Sequence, residues 1–298
     1  TSIKILSDVE FTLNGIYSTM QSSDAYSGRL VYYGDVTGDD MQAVSSTKRV
    51  ANYYRFNFTK DDNPSSHWSY LYSIIQNCNL ILMNIDKLVI DEDDKAYRDD
   101  LKGEALAIRG LALFDLTRIF GYPYLKDNGA SLGVPIIEGL STIDSKPTRN
   151  TVAQCYTKII DDLTQSLSLL GEKFNKGKIN KWGAMVLLSR VYLYKGENAN
   201  ALKMASDAII GAEKNKYALW TNEDYPTAWG EDASASKPGE VLFEIVNLTT
   251  DSPGKESMGY LNSYDGYDDM CITCSFYQFL KEDPKDIRLK LLSFDKKY

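Results

Sequence analysis

Leu101–Leu125 reads LKGEALAIRGLALFDLTRIFGYPYL. Leu101, Ala105, Ile108, Ala112, Leu116 and Ile119 recur at helical spacing and form one apolar stripe. Leu106, Leu113 and Phe114 add a second apolar face, which predicts a helix packed between neighbours rather than laid on a surface. Glu104, Arg109, Asp115 and Arg118 interrupt it, and any of them that is buried needs a partner. Asp115 and Arg118 are spaced to pair along the helix. Gly110 leaves room for another helix to come close. Gly121 ends the helix and Pro123 blocks continuation.

Outward from this helix, four more stretches carry helical stripes. Ser7-Asp8-Val9-Glu10 has the pattern of a capping box, followed by Val9, Leu13, Ile16, Tyr17 and Met20 on one face. After Pro64, the stripe is Trp68, Leu71, Ile75, Cys78, Leu82 and Ile85, with Asn77 and Asn79 needing partners if buried. Asp91–Asp94 reads as a solvated turn. Thr151-x-x-Gln154 caps a helix carrying Val152, Tyr156, Ile159, Leu163, Leu167 and Leu170. Asn180–Lys195 and Ala199–Ala212 form a predicted hairpin with Gly196 at its turn. Met185, Leu188, Ser189 and Tyr192 occupy tetratricopeptide slots, and Ala201, Ala205 and Ala208 supply small residues where the helices cross. One such repeat cannot bury its own faces, so several are expected to stack.

Two segments break this period. Ser22–Asn63 is polar, dotted with glycine and rich in rings, and is predicted to be loops with short irregular pieces. After Lys214 the chain again becomes polar and aromatic. Glu240–Asn247 is predicted to be a short strand and Ser275–Arg288 to hold a helix closed by Asp283-Pro284.

Composition narrows the chemistry. The chain has 298 residues, 43% hydrophobic, with a net charge of −8. That charge disfavours nucleic acid and direct binding to anionic lipid. A single His excludes multi-His metal centres and weakens any Ser-His or Cys-His proposal. Cys78 and Cys155 read as core residues, and Cys271-x-x-Cys274 as a loop-closing disulfide or free thiols rather than a zinc site. The acidic loops Asp35–Asp40 and Asp265–Asp269 lack the spacing of a calcium loop. No apolar run reaches the ~18 residues of a membrane span. No nucleophile elbow, P-loop or dinucleotide fingerprint occurs, so neither catalysis nor a cofactor is expected.

Glu104-Ala105, Arg109-Gly110, Phe114 and Phe120-Gly121-Tyr122-Pro123 resemble the hallmark helix and exit of SusD/RagB-type outer-membrane nutrient-binding lipoproteins. Gly110 stands where the family usually has alanine. Trp68-x-x-Leu71-Tyr72-x-x-Ile75-x-x-x-Asn79 resembles a second family helix, Gly133-Val134-Pro135 its G-x-P insertion, and Asp286-x-Arg288 its D-x-R segment. The resemblance implies an all-α, tetratricopeptide-like scaffold with long aromatic-rich loops and minor β structure. It implies one domain over 1–298, with a helical core over about 1–215 and a loop-rich ligand-binding part over about 216–298. It also implies that the chain corresponds to the N-terminal part of a full member. The implied function is non-catalytic capture of an oligosaccharide at the cell surface and delivery to a SusC-like TonB-dependent transporter. A lipid anchor before Thr1 would be the only tie to the membrane. A peptide-binding member of the family, a tetratricopeptide adaptor and a helical glycosidase remain as alternatives.

Sugars offer flat C–H faces to rings and hydroxyls to acids and amides. Both kinds of group concentrate in the two irregular segments. The candidate ligand residues are Trp229, Trp220, Tyr264, Tyr267, Tyr53 and Tyr54 for stacking, with Asp40 and Asn63 for hydrogen bonds. Trp68 lies on a helical stripe and is expected to pack.

Overall fold

The computed structural model describes residues 3–59, 65–142, 144–229, 239–248 and 250–293. Its elements follow in order: α1 (Leu6–Met20), α2 (Arg29–Val36), β1 (Met41–Ala43), α3 (Ala51–Tyr54), α4 (Ser65–Leu82), α5 (Lys95–Phe120), α6 (Val152–Leu169), α7 (Lys181–Lys195), α8 (Asn198–Lys214), α9 (Tyr225–Ala228), α10 (Met258–Asn262), β2 (Met270–Ile272) and α11 (Cys274–Lys281). Among the described residues the fold is all-α apart from one two-stranded antiparallel ribbon. It forms two compact units. The first comprises Thr1–Thr19, Trp68–Ala218 and Ser236–Glu244; the second comprises Met20–His67, Leu219–Ala235 and Ile245–Tyr298. The second unit therefore draws on 20–67 as well as on the C-terminal segments.

In the first unit, α5 is buried almost all round from Leu101 to Thr117, as its two apolar faces require. Gly103 and Gly110 lie seven apart on the face toward α6. A Cβ on Gly103 would sit 2.9 Å from Leu170 Cγ, and one on Gly110 3.0 Å from Leu163 Cγ. Those partners run in the reverse direction, so α5 and α6 are antiparallel. The buried charges are all matched. Arg109 reaches Asp162 through Nε at 2.8 Å and Nη2 at 2.6 Å, and its Nη1 donates to Asn79 Oδ1 at 2.8 Å. Asn79 Nδ2 donates to the carbonyls of Ile137 and Gly139. Tyr17 donates to Glu104 at 2.5 Å and accepts from the Ile179 amide at 3.1 Å. Arg118 pairs with Asp115 one turn away, as the spacing predicts.

The Thr151–Gln154 capping box forms in full. Asn180 caps α7 by accepting from the Trp182 and Gly183 amides, and Gly196 turns the hairpin with φ +83°. Ala201 and Ala208 are buried, and Ser189 Oγ donates to the Ala201 carbonyl. The two helices come close at Gly211, where a Cβ would lie 2.0 Å from the Trp182 ring. Trp68 packs between Tyr72 and Phe120, with ring centroids 4.9 and 5.0 Å away.

Two local expectations fail. The helix after Ile5 starts at Leu6, so Ser7 lies inside it; Asp8 instead accepts from the amides of Lys4 and Ile5. Glu240–Asn247 forms no strand. Its apolar side chains pack instead, with Phe243 edge-on to Tyr17 and its Cβ 3.1 Å from where a Cβ on Gly183 would lie. Among the described residues, no helix is long and apolar enough to cross a membrane.

Candidate functional site

The second unit is organised by a pairing of segments some 230 positions apart. Met41 faces Ile272, Gln42 faces Cys271, and Ala43 faces Met270. Tyr32, Val36, Val50, Leu261 and Met270 form the core behind this ribbon, with Tyr53 packed against it. At one end of the ribbon, Thr273 donates its amide to the Asp40 carbonyl and its hydroxyl to the Asp39 carbonyl. The same Thr273 side chain accepts from the Phe276 amide and so caps α11.

A cleft of about 620 Å³ opens along the ribbon. Tyr264 and Tyr277 supply rings to its wall, and Gln42, Asn262, Asp268 and Thr273 supply polar groups. Met41 and Met270 line it as well, and Leu291 and Leu292 add an apolar wall. Tyr264 is 49% exposed. Asn262 donates Nδ2 to the Met258 carbonyl, while its Oδ1 has no hydrogen-bond partner among the described residues. Rings beside scattered amide, hydroxyl and carboxylate groups suit a ligand with both apolar faces and hydroxyls.

The loop that carries Tyr264 and Asp268 is held from several sides. The amides of Tyr267 and Asp269 donate to the carbonyls of Tyr260 and Leu261. Gly266 is needed there, because a Cβ would lie 1.9 Å from the Tyr260 carbonyl oxygen. Arg49 stacks on Tyr267 with its guanidinium carbon 3.9 Å from the ring centroid, and it binds Asp269 at 3.0 Å and Glu256 at 3.1 Å. Lys48 donates to the Tyr267 carbonyl at 2.6 Å.

Against known proteins, residues 3–193 match a SusD-like family described as starch-binding and associating with the outer membrane. The chain belongs to the SusD-like family. A solved structure of a candidate sugar-binding protein from Bacteroides vulgatus ATCC 8482 is 82% identical, with TM-score 0.97, covering 100% of this chain and 67% of that one. A second Bacteroides vulgatus SusD-superfamily structure is 36% identical, with TM-score 0.90, covering 99% and 66%. A SusD-like protein of Bacteroides ovatus is 27% identical over 45% of this chain and 23% of its own length. The chain thus matches well under half of that curated relative.

In this SusD-like chain the sequence-chosen residues fall into separate groups. Trp220 and Trp229 meet at 5.2 Å, and Tyr225 joins them at 6.2 and 5.7 Å, so three rings form one cluster. Trp229 is 58% exposed. Tyr264 lines the cleft. Tyr267 is taken up by Arg49 and by an edge contact with Tyr260. Tyr53 lies in a second aromatic cluster with Tyr33 and Phe58, at 5.5 and 5.8 Å, and Tyr54 beside it is partly exposed. Asp40 serves the ribbon through its backbone and does not line the cleft. Asn63 lies outside the described residues.

Tyr277, Gln42, Asn262 and Tyr225 were not singled out from sequence. Nothing local marks Gln42 or Asn262, because their placement depends on the long-range ribbon. Cys271 and Cys274 both line the cleft and are free. Ile272 is in a strand and Thr273 is extended at φ −75°, ψ 154°, so three extended steps separate the two cysteines. At ~3.3 Å per residue that is about 10 Å, too far for a disulfide. Cys78 and Cys155 are fully buried, and burial pushes the Cys78 thiol up to about 12.

Proposed function

We propose that this protein captures an oligosaccharide in the ribbon cleft of its second unit and passes it to a SusC-like TonB-dependent outer-membrane transporter without cleaving it. The observation that carries this reading is the cleft itself: an exposed tyrosine ring beside amide, hydroxyl and carboxylate groups, on a loop pinned by Arg49. Membership of a family described as starch-binding and outer-membrane-associated supports it. A lipid anchor at the cell surface fits the same reading. The helical unit then serves as scaffold, and the proposed site uses side chains that the stacking of helices does not need. No catalytic motif stands behind the cleft, so a bound glycan should come away intact.

The test is a polysaccharide panel including starch and laminarin, read by affinity electrophoresis, with wild type beside Tyr264→Ala. Retardation by at least one glycan, weakened in the variant, is expected. Retardation by none, together with capture of peptides, would move the reading to a peptide-binding member of the family. Shortening of a bound oligosaccharide would end the non-catalytic reading.

A further inference from the structure

Cys271 and Cys274 are exposed, free and both on the wall of the cleft, whereas Cys78 and Cys155 are buried. No third His, Cys, Asp or Glu joins the exposed pair in a metal-binding group among the described residues. In a working dithiol pair, one thiol takes a mixed disulfide and its neighbour then attacks and clears it. Here the neighbour is out of reach. Met270–Ile272 is a strand and Thr273 is extended, so the two Cα atoms stand about 10 Å apart at ~3.3 Å per residue. A disulfide needs them within ~7 Å.

That separation is held from both ends. Cys271 is fixed opposite Gln42 in the ribbon. Thr273 donates its amide and hydroxyl to the carbonyls of Asp40 and Asp39, and it caps α11 immediately before Cys274. Each sulfur also has a neighbour that the cleft uses. Gln42 Nε2 donates to Cys271 Sγ at 3.6 Å. Cys274 and Tyr277 are three apart on α11, which places them on one side of the helix, and both line the cleft.

We propose that Cys271 and Cys274 form a thiol-modification site on the cleft wall: each takes a mixed disulfide from a low-molecular-weight disulfide, neither adduct is cleared by the other cysteine, and an adduct obstructs the cleft until an external thiol removes it. In each exchange a cysteine thiolate attacks one sulfur of the small disulfide R–S–S–R. A Cys–S–S–R bond forms, the original S–S bond breaks, and R–S⁻ leaves to take up the proton that the cysteine gave up. No electrons are gained or lost overall, and an external thiol reverses the exchange by the same route. A member of an outer-membrane-associated family can meet such disulfides outside the reducing cytosol. The obstruction rests on the reading that the cleft holds the glycan; the modification does not.

The test begins with native protein incubated with cystamine or glutathione disulfide, its intact mass read before and after dithiothreitol. Wild type, Cys271→Ser, Cys274→Ser and the double variant are compared. Wild type should gain one adduct per exposed cysteine, each single variant one adduct, and the double variant none. Dithiothreitol should remove them all. A wild type without adducts overturns the proposal. So does a species lighter by two hydrogens, which would be the internal disulfide, and so does an adduct on the double variant. Affinity electrophoresis then uses the polysaccharide of the panel that retards unmodified protein. Modified wild type should lose retardation and regain it with dithiothreitol. The double variant, whatever its starting retardation, should not respond to the small disulfide. Unchanged retardation of fully modified wild type overturns the obstruction, as does an equal loss in the double variant. If no glycan retards unmodified protein, the glycan reading fails and the obstruction falls with it, while the masses still decide the modification.

Discussion

Glu104 gives the sharpest test of the helical unit. Its carboxyl is 6% exposed and accepts the Tyr17 hydroxyl at 2.5 Å. Burial raises its pKa from 4.5 to about 7, outweighing the hydrogen bond from Tyr17 and the charge of Lys178. The folded state thus holds this proton to a higher pH than the unfolded chain does. Its contribution to stability is full below about pH 4.5 and is lost as pH rises through 7. At about 1.4 kcal/mol per pH unit, the ionised carboxylate costs the fold about 3 kcal/mol above neutral pH. Glu104→Gln keeps an acceptor for Tyr17 and cannot ionise. Urea unfolding of both proteins from pH 4.5 to 8.5 should give similar stabilities at the acid end. Above pH 7 the variant should be more stable by about 2–3 kcal/mol. Taking the difference between the two proteins cancels other carboxylates, such as Glu138, whose pKa is lowered by Lys158. Parallel stability curves across the whole range would refute the reasoning.

His67 tests the second unit with the opposite sign. Its Nδ1 donates to the Asp24 carbonyl, Nε2 has no partner among the described residues, and burial lowers its pKa. Stability should be complete above about pH 6.5 and fall as pH drops through the lowered value; an equal acid loss in His67→Phe would sink this. Arg109→Met leaves fully buried Asp162 with Lys158 at 3.2 Å as its remaining ionic partner. It should cost about 3–5 kcal/mol in chemical denaturation, partly recovered when Asp162 is also replaced by Leu. Gly211→Ala pushes a Cβ to 2.0 Å from Trp182 and should cost about 1–3 kcal/mol. A higher melting temperature, as helix propensity alone would give, would contradict the close crossing of α7 and α8.

The helical unit was largely legible because its determinants are local and periodic. Leu101–Phe120 announces a helix buried on two sides, Thr151-x-x-Gln154 announces its cap, and Gly196 announces the hairpin turn. The partners of Glu104 and Arg109 were not legible: Tyr17 and Asp162 lie 87 and 53 positions away. The Ser7 cap failed because the helix starts earlier, at Leu6, where Asp8 reaches back to accept the amides of Lys4 and Ile5. The strand expected at Glu240–Asn247 failed because a short apolar run does not say whether it pairs or packs. In the second unit the rings were recognisable as a class, but their division was not. Tyr267 and Tyr53 are drawn into packing by Arg49 and Tyr33, while Tyr264 and Trp229 keep exposed faces. That division depends on the pairing of Met41–Ala43 with Met270–Ile272, and three-residue strands that far apart carry no sequence signal.

The central claim is that ligand binds the loops of the second unit and not the helical hairpin of the first. Hydrogen–deuterium exchange with and without the best-binding polysaccharide of the panel measures this directly. Protection is predicted in 41–44, 262–277 and 287–293. Protection confined to Lys181–Lys214, with those loop segments unchanged, would contradict it.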